Sequence, residues 1–203
     1  MRKISNILVA IFSLVLLLSG AAGANGRPVE TLPLQEMVGR YYFLGYNLHA
    51  DHFAKKVSSV NYQIRGDLIP WGTEVRIIRV TGDFLVFEHV AKRQQYRYIF
   101  HWKTKSEGPL LEHVNKVFLD KADDLTKQVE AMNSVDKDGI YEGRAKVGMS
   151  REGVLIAIGY PPEFANPEAL MTDRDWLYWS SRYFKMVVSF GRDGLVSKVS
   201  GGD

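Results

Sequence analysis

The sequence predicts an α+β protein built from a small β-barrel-like unit, a helical connection and a short helix packed on a three-stranded antiparallel sheet. Three observations carry this expectation. Residues 36–105 hold short β-branched and aromatic runs separated by Gly- and Pro-containing turns. Residues 106–135 place apolar side chains at helical spacing: Leu111, Val114, Val117 and Phe118, then Leu125, Val129 and Met132. Residues 136–203 hold a helix whose two ends are written into the sequence, followed by strands and hairpin turns.

Arg2 and Lys3 precede an apolar run from Ile7 to Leu18, then small residues. This is the pattern of a secretory signal, with Ala22-Gly23-Ala24 as the cleavage site, so residues 1–24 are expected to be removed. The apolar run is shorter than the ~20 residues that span a bilayer. The chain has no cysteine, which excludes disulfides, thiolate chemistry and lipid attachment through the box-like Leu18-Ser19-Gly20-Ala21. Losing Arg2 and Lys3 lowers the formal charge from +3 to +1, so a nucleic-acid partner, which calls for a clustered basic footprint, is not expected. A periplasmic location fits an exported chain of this size without disulfides. Residues 25–35, with Pro28 and Pro33, read as a flexible lead-in.

In the β-rich unit, strands are expected at 40–46, 57–64, 74–80, 84–90 and 95–103, with turns at Gly66–Gly72, Gly82-Asp83 and 91–94. Leu68-Ile69-Pro70-Trp71-Gly72-Thr73-Glu74-Val75 resembles the turn-into-strand segment of bacterial SH3-like domains. Along 95–103, Tyr96, Tyr98, Phe100 and Trp102 recur every second residue and share one face. That row is expected to be core, with a stacking platform as the alternative. Arg93, Arg97, His101 and Lys103 then share the opposite, solvated face, and Arg97 and Lys103 are candidates for contact with acidic headgroups or a partner.

Two helices or one interrupted helix are expected over 110–132, because Asp120–Asp124 is a charged step. Asn133–Gly139 reads as a turn, and Ile140–Lys146 as a short helix. The central helix follows. Ser150 is its N-cap, Glu152 complements the positive end of the dipole, and Val154, Leu155 and Ile158 form its apolar stripe. Gly159 ends it in a left-handed conformation, and Pro161-Pro162 prevent continuation. Gly153 lies inside the helix, at a cost of about 1 kcal/mol relative to Ala. Three strands close the chain: 174–180, 183–190 and 195–199, with Gly191-Arg192-Asp193-Gly194 as a hairpin turn. In Trp176-Leu177-Tyr178-Trp179, Trp176 and Tyr178 point to one side and Trp179 to the other. All three are candidate interaction residues, since at least one ring should be partly exposed.

Val147-Gly148-Met149-Ser150-Arg151-Glu152, Gly159-Tyr160-Pro161-Pro162, Trp176–Trp179 and Val187–Phe190 together resemble the SmpA/OmlA (BamE-like) family of envelope proteins. The resemblance implies helices packed on a three-stranded antiparallel sheet. It also implies a partner among outer-membrane protein assembly components.

No metal, catalytic or cofactor site is expected. His49-Ala50-Asp51-His52 reads as a solvated loop, with His89, His101 and His113 scattered. No nucleophile elbow, zinc helix motif or phosphate loop is present. The expectation is a non-enzymatic, exported envelope scaffold that holds a protein partner. The alternatives are a cell-wall-binding (peptidoglycan) module and an inhibitor of an envelope enzyme. Peripheral membrane contact is compatible with each, and nothing in the sequence sets an oligomeric state.

Overall fold

A computed structural model describes residues 32–60, 66–107, 110–166, 170–179 and 183–201. The expected signal peptide lies outside these residues. The end of the expected lead-in does not: residues 32–35 form a helical turn, α1 (Leu32–Gln35), and Leu34 is wholly buried. An apolar side chain with a core within reach is worth about 1.5–3 kcal/mol when buried, which outweighs the polar character of its neighbours.

The first unit is a curled six-stranded sheet. It contains β1 (Tyr41–Leu44), β3 (Lys56–Ser58), β5 (Glu74–Val80), β6 (Phe84–His89), β7 (Gln94–Ile99) and β8 (Phe118–Leu119), in the order β3-β7-β6-β5-β1-β8. All pairings are antiparallel except β3 with β7. Alternation decides what faces inward. On β5, Val75, Ile77 and Val80 are buried while Glu74, Arg76 and Arg79 are exposed, and an irregularity between Ile77 and Arg79 re-phases the strand. A separate ladder pairs β2 (Leu48–Ala50) with β4 (Asp67–Ile69).

Strand β2 corrects the expectation of a solvated loop at His49 and Ala50, whereas His52 is exposed in the turn that follows. Leu48, His49 and Ala50 are all buried, so the segment lacks the alternation that marks a half-buried strand. The part of the expected strand at 61–64 lies outside the described residues.

A further correction concerns the expected strand at 95–103. Strand β7 ends at Ile99, and helix α2 (Trp102–Glu107) begins three residues later. Tyr96, Tyr98 and Phe100 are core, as expected of an aromatic row. Trp102 leaves the row and is 65% exposed. Lys103 is therefore on a helix and does not share a strand face with Arg97.

Helix α3 (Leu110–Val117) buries Leu110, Val114 and Val117 in the first core, and the chain then pairs with β1 through β8. Two helices thus occupy the 110–132 stretch, the second being α4 (Asp123–Ala131). The expected turn at 133–139 is instead the start of helix α5 (Ser134–Glu142). Asn133 makes it so: its side-chain oxygen accepts the Asp136 N–H at 2.8 Å, an N-cap that polar composition alone disguises as a loop.

Helix α6 (Arg151–Ile158) has the expected cap, with Ser150 Oγ accepting the Gly153 N–H at 3.0 Å. Its buried side chains are Val154, Ile156, Ala157 and Ile158; Leu155 is half-buried. The terminating Gly159 has φ +82° and ψ −175°, a region open to glycine but extended rather than the expected left-handed helical one. The three-stranded sheet is antiparallel, ordered β11 (Val196–Gly201), β10 (Lys185–Phe190), β9 (Asp175–Trp179). Trp176, Tyr178, Met186, Val188, Phe190 and Val196 form a second core with α6.

Asn47 holds the units together. Its Nδ2 donates to the Ile140 carbonyl at 2.7 Å and to the Ala157 carbonyl at 3.1 Å. Its backbone N–H donates to the Ile156 carbonyl at 2.9 Å, and its Oδ1 accepts the Trp71 N–H at 2.8 Å. One residue of the first unit thereby satisfies carbonyls in the last turns of α5 and α6, groups that a helix cannot satisfy internally. Beside it, His49 Nε2 donates to the Gly143 carbonyl at 3.1 Å. Among the described residues, no helix is long and apolar enough to cross a membrane.

Candidate interaction surface

One exposed ring, Trp102, and two half-buried rings, Phe164 and Trp179, gather where α2, the turn Glu163–Ala165 and β9 meet. Trp102 is at the first position of α2 and projects outward. Phe164 packs edge-to-face on Trp179, with centroids 5.4 Å apart and an interplanar angle of 84°. The Lys103 ammonium sits among the three rings, 4.1 Å from the centroid of Phe164, 5.6 Å from Trp102 and 5.7 Å from Trp179. Lys185, the cross-strand partner of Trp179, places a second ammonium 5.8 Å from that ring. Ammonium groups within about 6 Å of a ring are attracted to its electron-rich face. Tyr183 and Phe184, the two residues before β10, are 71% and 60% exposed.

The strands decide which rings can take part. Trp176 and Tyr178 point inward, are 0% and 1% exposed, and pack in the second core. The Tyr178 hydroxyl donates to the Gly159 carbonyl at 2.9 Å, and Trp176 Nε1 donates to the Leu170 carbonyl at 2.8 Å. Both were candidate interaction residues, and their burial removes them from the surface. Trp179 points the other way and is half-buried. The edge of β9 beside it is closed at Leu177, whose N–H and carbonyl are both bonded by the Asn166 side chain, at 2.7 and 3.0 Å. A peptide therefore cannot extend this sheet by pairing across Leu177 without displacing Asn166.

Arg97 lies on the outer face of the curled sheet, 4.7 Å from the centroid of Phe84, and shares no ring with Lys103. Sequence reasoning thus named Trp179 and Lys103 separately, Lys103 on a strand face with Arg97, and missed their meeting, Phe164, Lys185 and the exposure of Trp102. The signal for Phe164 was a lone aromatic in an otherwise polar loop. Trp102 was hidden by its position as the fourth member of an alternating row.

The histidines have structural environments. Burial pushes His49 down to about 4, despite its bond to the Gly143 carbonyl. His113 is also held at about 4 by burial and, secondarily, by the Lys116 charge; its Nε2 is 2.8 Å from the Tyr98 hydroxyl. His52 pairs with Asp67 at 2.6 Å on the surface. Among the described residues, no group of three or more His, Asp or Glu side chains is arranged to hold a metal ion.

Comparisons of the chain with protein-family models, with curated proteins and with solved structures found no match.

Proposed function

We propose that the protein is an exported, non-enzymatic scaffold of a bacterial envelope that holds a protein partner. The observation that carries this reading is the aromatic and cationic patch of Trp102, Lys103, Phe164, Trp179 and Lys185. Large aromatic rings at a surface, tryptophan above all, are the side chains that anchor protein interfaces. The patch draws on both units, so a partner seated there reads their relative placement.

The order of elements supports a BamE-like reading of the second unit: α5 and α6 precede a three-stranded antiparallel sheet, and α6 shares its core. The curled sheet supports an SH3-like reading of the first. Outer-membrane protein assembly components are the partners this reading favours. The apolar segment that ends near Leu18 supports export to the periplasm.

In-cell crosslinking of the tagged full chain, followed by purification and mass spectrometry, tests the proposal. Recovery of β-barrel assembly components is the expected result. Recovery of wall enzymes or glycan fragments alone contradicts it and moves the function to cell-wall binding or inhibition.

A further inference from the structure

A second surface, on the outer face of the curled sheet, has a different chemistry. A groove of about 540 Å³ is lined by Ala54, Lys55 and Lys56, by Ile78 and Arg79, by Val86, and by Gln95, Tyr96 and Arg97. Four of these nine residues are cationic and none is acidic. Lys55 is neutralised, because its Nζ lies 2.7 Å from Asp67 Oδ2. Lys56, Arg79 and Arg97 make no ion pair among the described residues.

The sheet register makes this grouping. Lys56 pairs with Arg97, Arg97 with Val86, and Val86 with Arg79, so the three cations and Val86 lie in one row across β3, β7, β6 and β5. Phe84 sits beside the row, with the Arg79 guanidinium 5.1 Å and the Arg97 guanidinium 4.7 Å from its ring centroid. A shared ring holds two like charges close together and restricts both side chains before any ligand arrives. The rim is also built. Asp51 Oδ1 accepts the N–H groups of Phe53 and Ala54, at 3.1 and 2.6 Å, and Lys55 adopts φ +49° to turn the chain into β3.

We infer that this groove binds an acidic peptide segment of a partner protein, with carboxylates on Arg79, Arg97 and Lys56 and an aliphatic side chain over Val86 and Ile78. Planar guanidinium forks match carboxylates in a bidentate fashion. Val86 on the floor is 9% exposed, so a slender extended chain reaches it and a planar bilayer surface does not. The volume accommodates several side chains, more than a single anion fills. Tyr96 is too buried to offer its ring for base stacking, which disfavours single-stranded nucleic acid. The site is distinct in residues from the aromatic patch, and its test is independent of that patch.

The experiment is fluorescence anisotropy of the full chain with a labelled six-residue peptide of alternating glutamate and leucine. The glutamine-leucine peptide, inorganic phosphate and vesicles containing phosphatidylglycerol are the comparison probes. The glutamate peptide should bind saturably, and Arg79→Glu with Arg97→Glu should weaken it at least tenfold. Lys121→Glu with Lys127→Glu changes net charge equally at exposed helix-side positions and should leave affinity within twofold. Should the double reversal lower the melting temperature, Arg97→Gln carries the test, with a loss of threefold or more expected. No saturable peptide binding, equal loss in the control pair, or groove-dependent binding of vesicles or phosphate without the peptide would each overturn the inference.

Discussion

Gly153 shows how a residue can oppose a local rule for a non-local reason. By helix propensity, Gly153→Ala stabilises by about 1 kcal/mol. In the fold, a Cβ at 153 would overlap the carboxylate of Asp136 on α5. That carboxylate is 2% exposed, accepts the Ser150 N–H at 2.7 Å and is bonded by Asn133 Nδ2 at 2.8 Å. Gly153→Ala must push the buried acid off the start of α6, so it is expected to lower stability by about 2–3 kcal/mol. Urea unfolding would show it; a rise in midpoint would contradict the account. The cap at Ser150 was legible in the sequence because caps are local. The reason for Gly153 was not, because its contact comes from another helix. Asn47 was equally illegible: nothing in Gly45-Tyr46-Asn47 signals that its amide caps two distant helices. Asn47→Ala leaves buried carbonyls at Ile140 and Ala157 and the Trp71 N–H without that partner, and is expected to cost about 3 kcal/mol. His49 and His113 bind protons more weakly in the folded chain, at about 4 against an ordinary 6.5. Between these pH values the unfolded chain holds more protons, so their contribution is complete above about pH 6.5 and is lost as pH falls towards 4. The urea midpoint should therefore fall over that window, and His49→Gln with His113→Gln should flatten the fall. An unchanged slope would contradict their burial as neutral rings.

At the scale of elements, strand alternation sorts the three aromatic residues of β9, Trp176, Tyr178 and Trp179. Trp176 is fully buried among α6 and its sheet neighbours, with its ring 4.6 Å from that of Phe190. Trp176→Ala is expected to cost about 3–5 kcal/mol. Trp179→Ala should cost less than half of that, because its outward ring rests on Phe164 and Lys103 near the surface. Similar losses, read by thermal unfolding, would contradict the assignment of faces. The two-sidedness of β9 was legible from period-two geometry, although which side was inner was not. Strand β5 and helix α3 were legible for the same reason: one buried face writes one period into the residues. Helix α6 is buried on nearly every side and was legible through its end signals instead. Strand β2 and the start of α5 were not. The first is covered on both sides, and the second is capped by residues whose polarity reads as loop.

For the whole molecule, the consequence is a fixed relation between two cores. The first gathers residues from Leu34 to Phe118 and the second from Val129 to Val196. Helix α3, expected as part of a connector, belongs to the first core, which leaves α4 as the helical link to the second unit. The Tyr46–His49 segment closes the seam, with Tyr46 edge-on to Tyr160 at 5.9 Å. This seam keeps Trp102 and Lys103 of α2 beside Phe164 and Trp179, so the patch exists only while the units are docked. Asn47→Ala should then weaken partner capture even though Asn47 is buried away from the patch surface. The most direct measurement is photo-crosslinking in cells with a photoreactive amino acid at position 102, set against the same group at Tyr141, which is 86% exposed on α5. The account predicts a discrete crosslinked protein from position 102 that is absent from position 141 and lost when Lys103 and Lys185 are changed to glutamate. The same products from both positions, or products unaffected by those charge reversals, would contradict it.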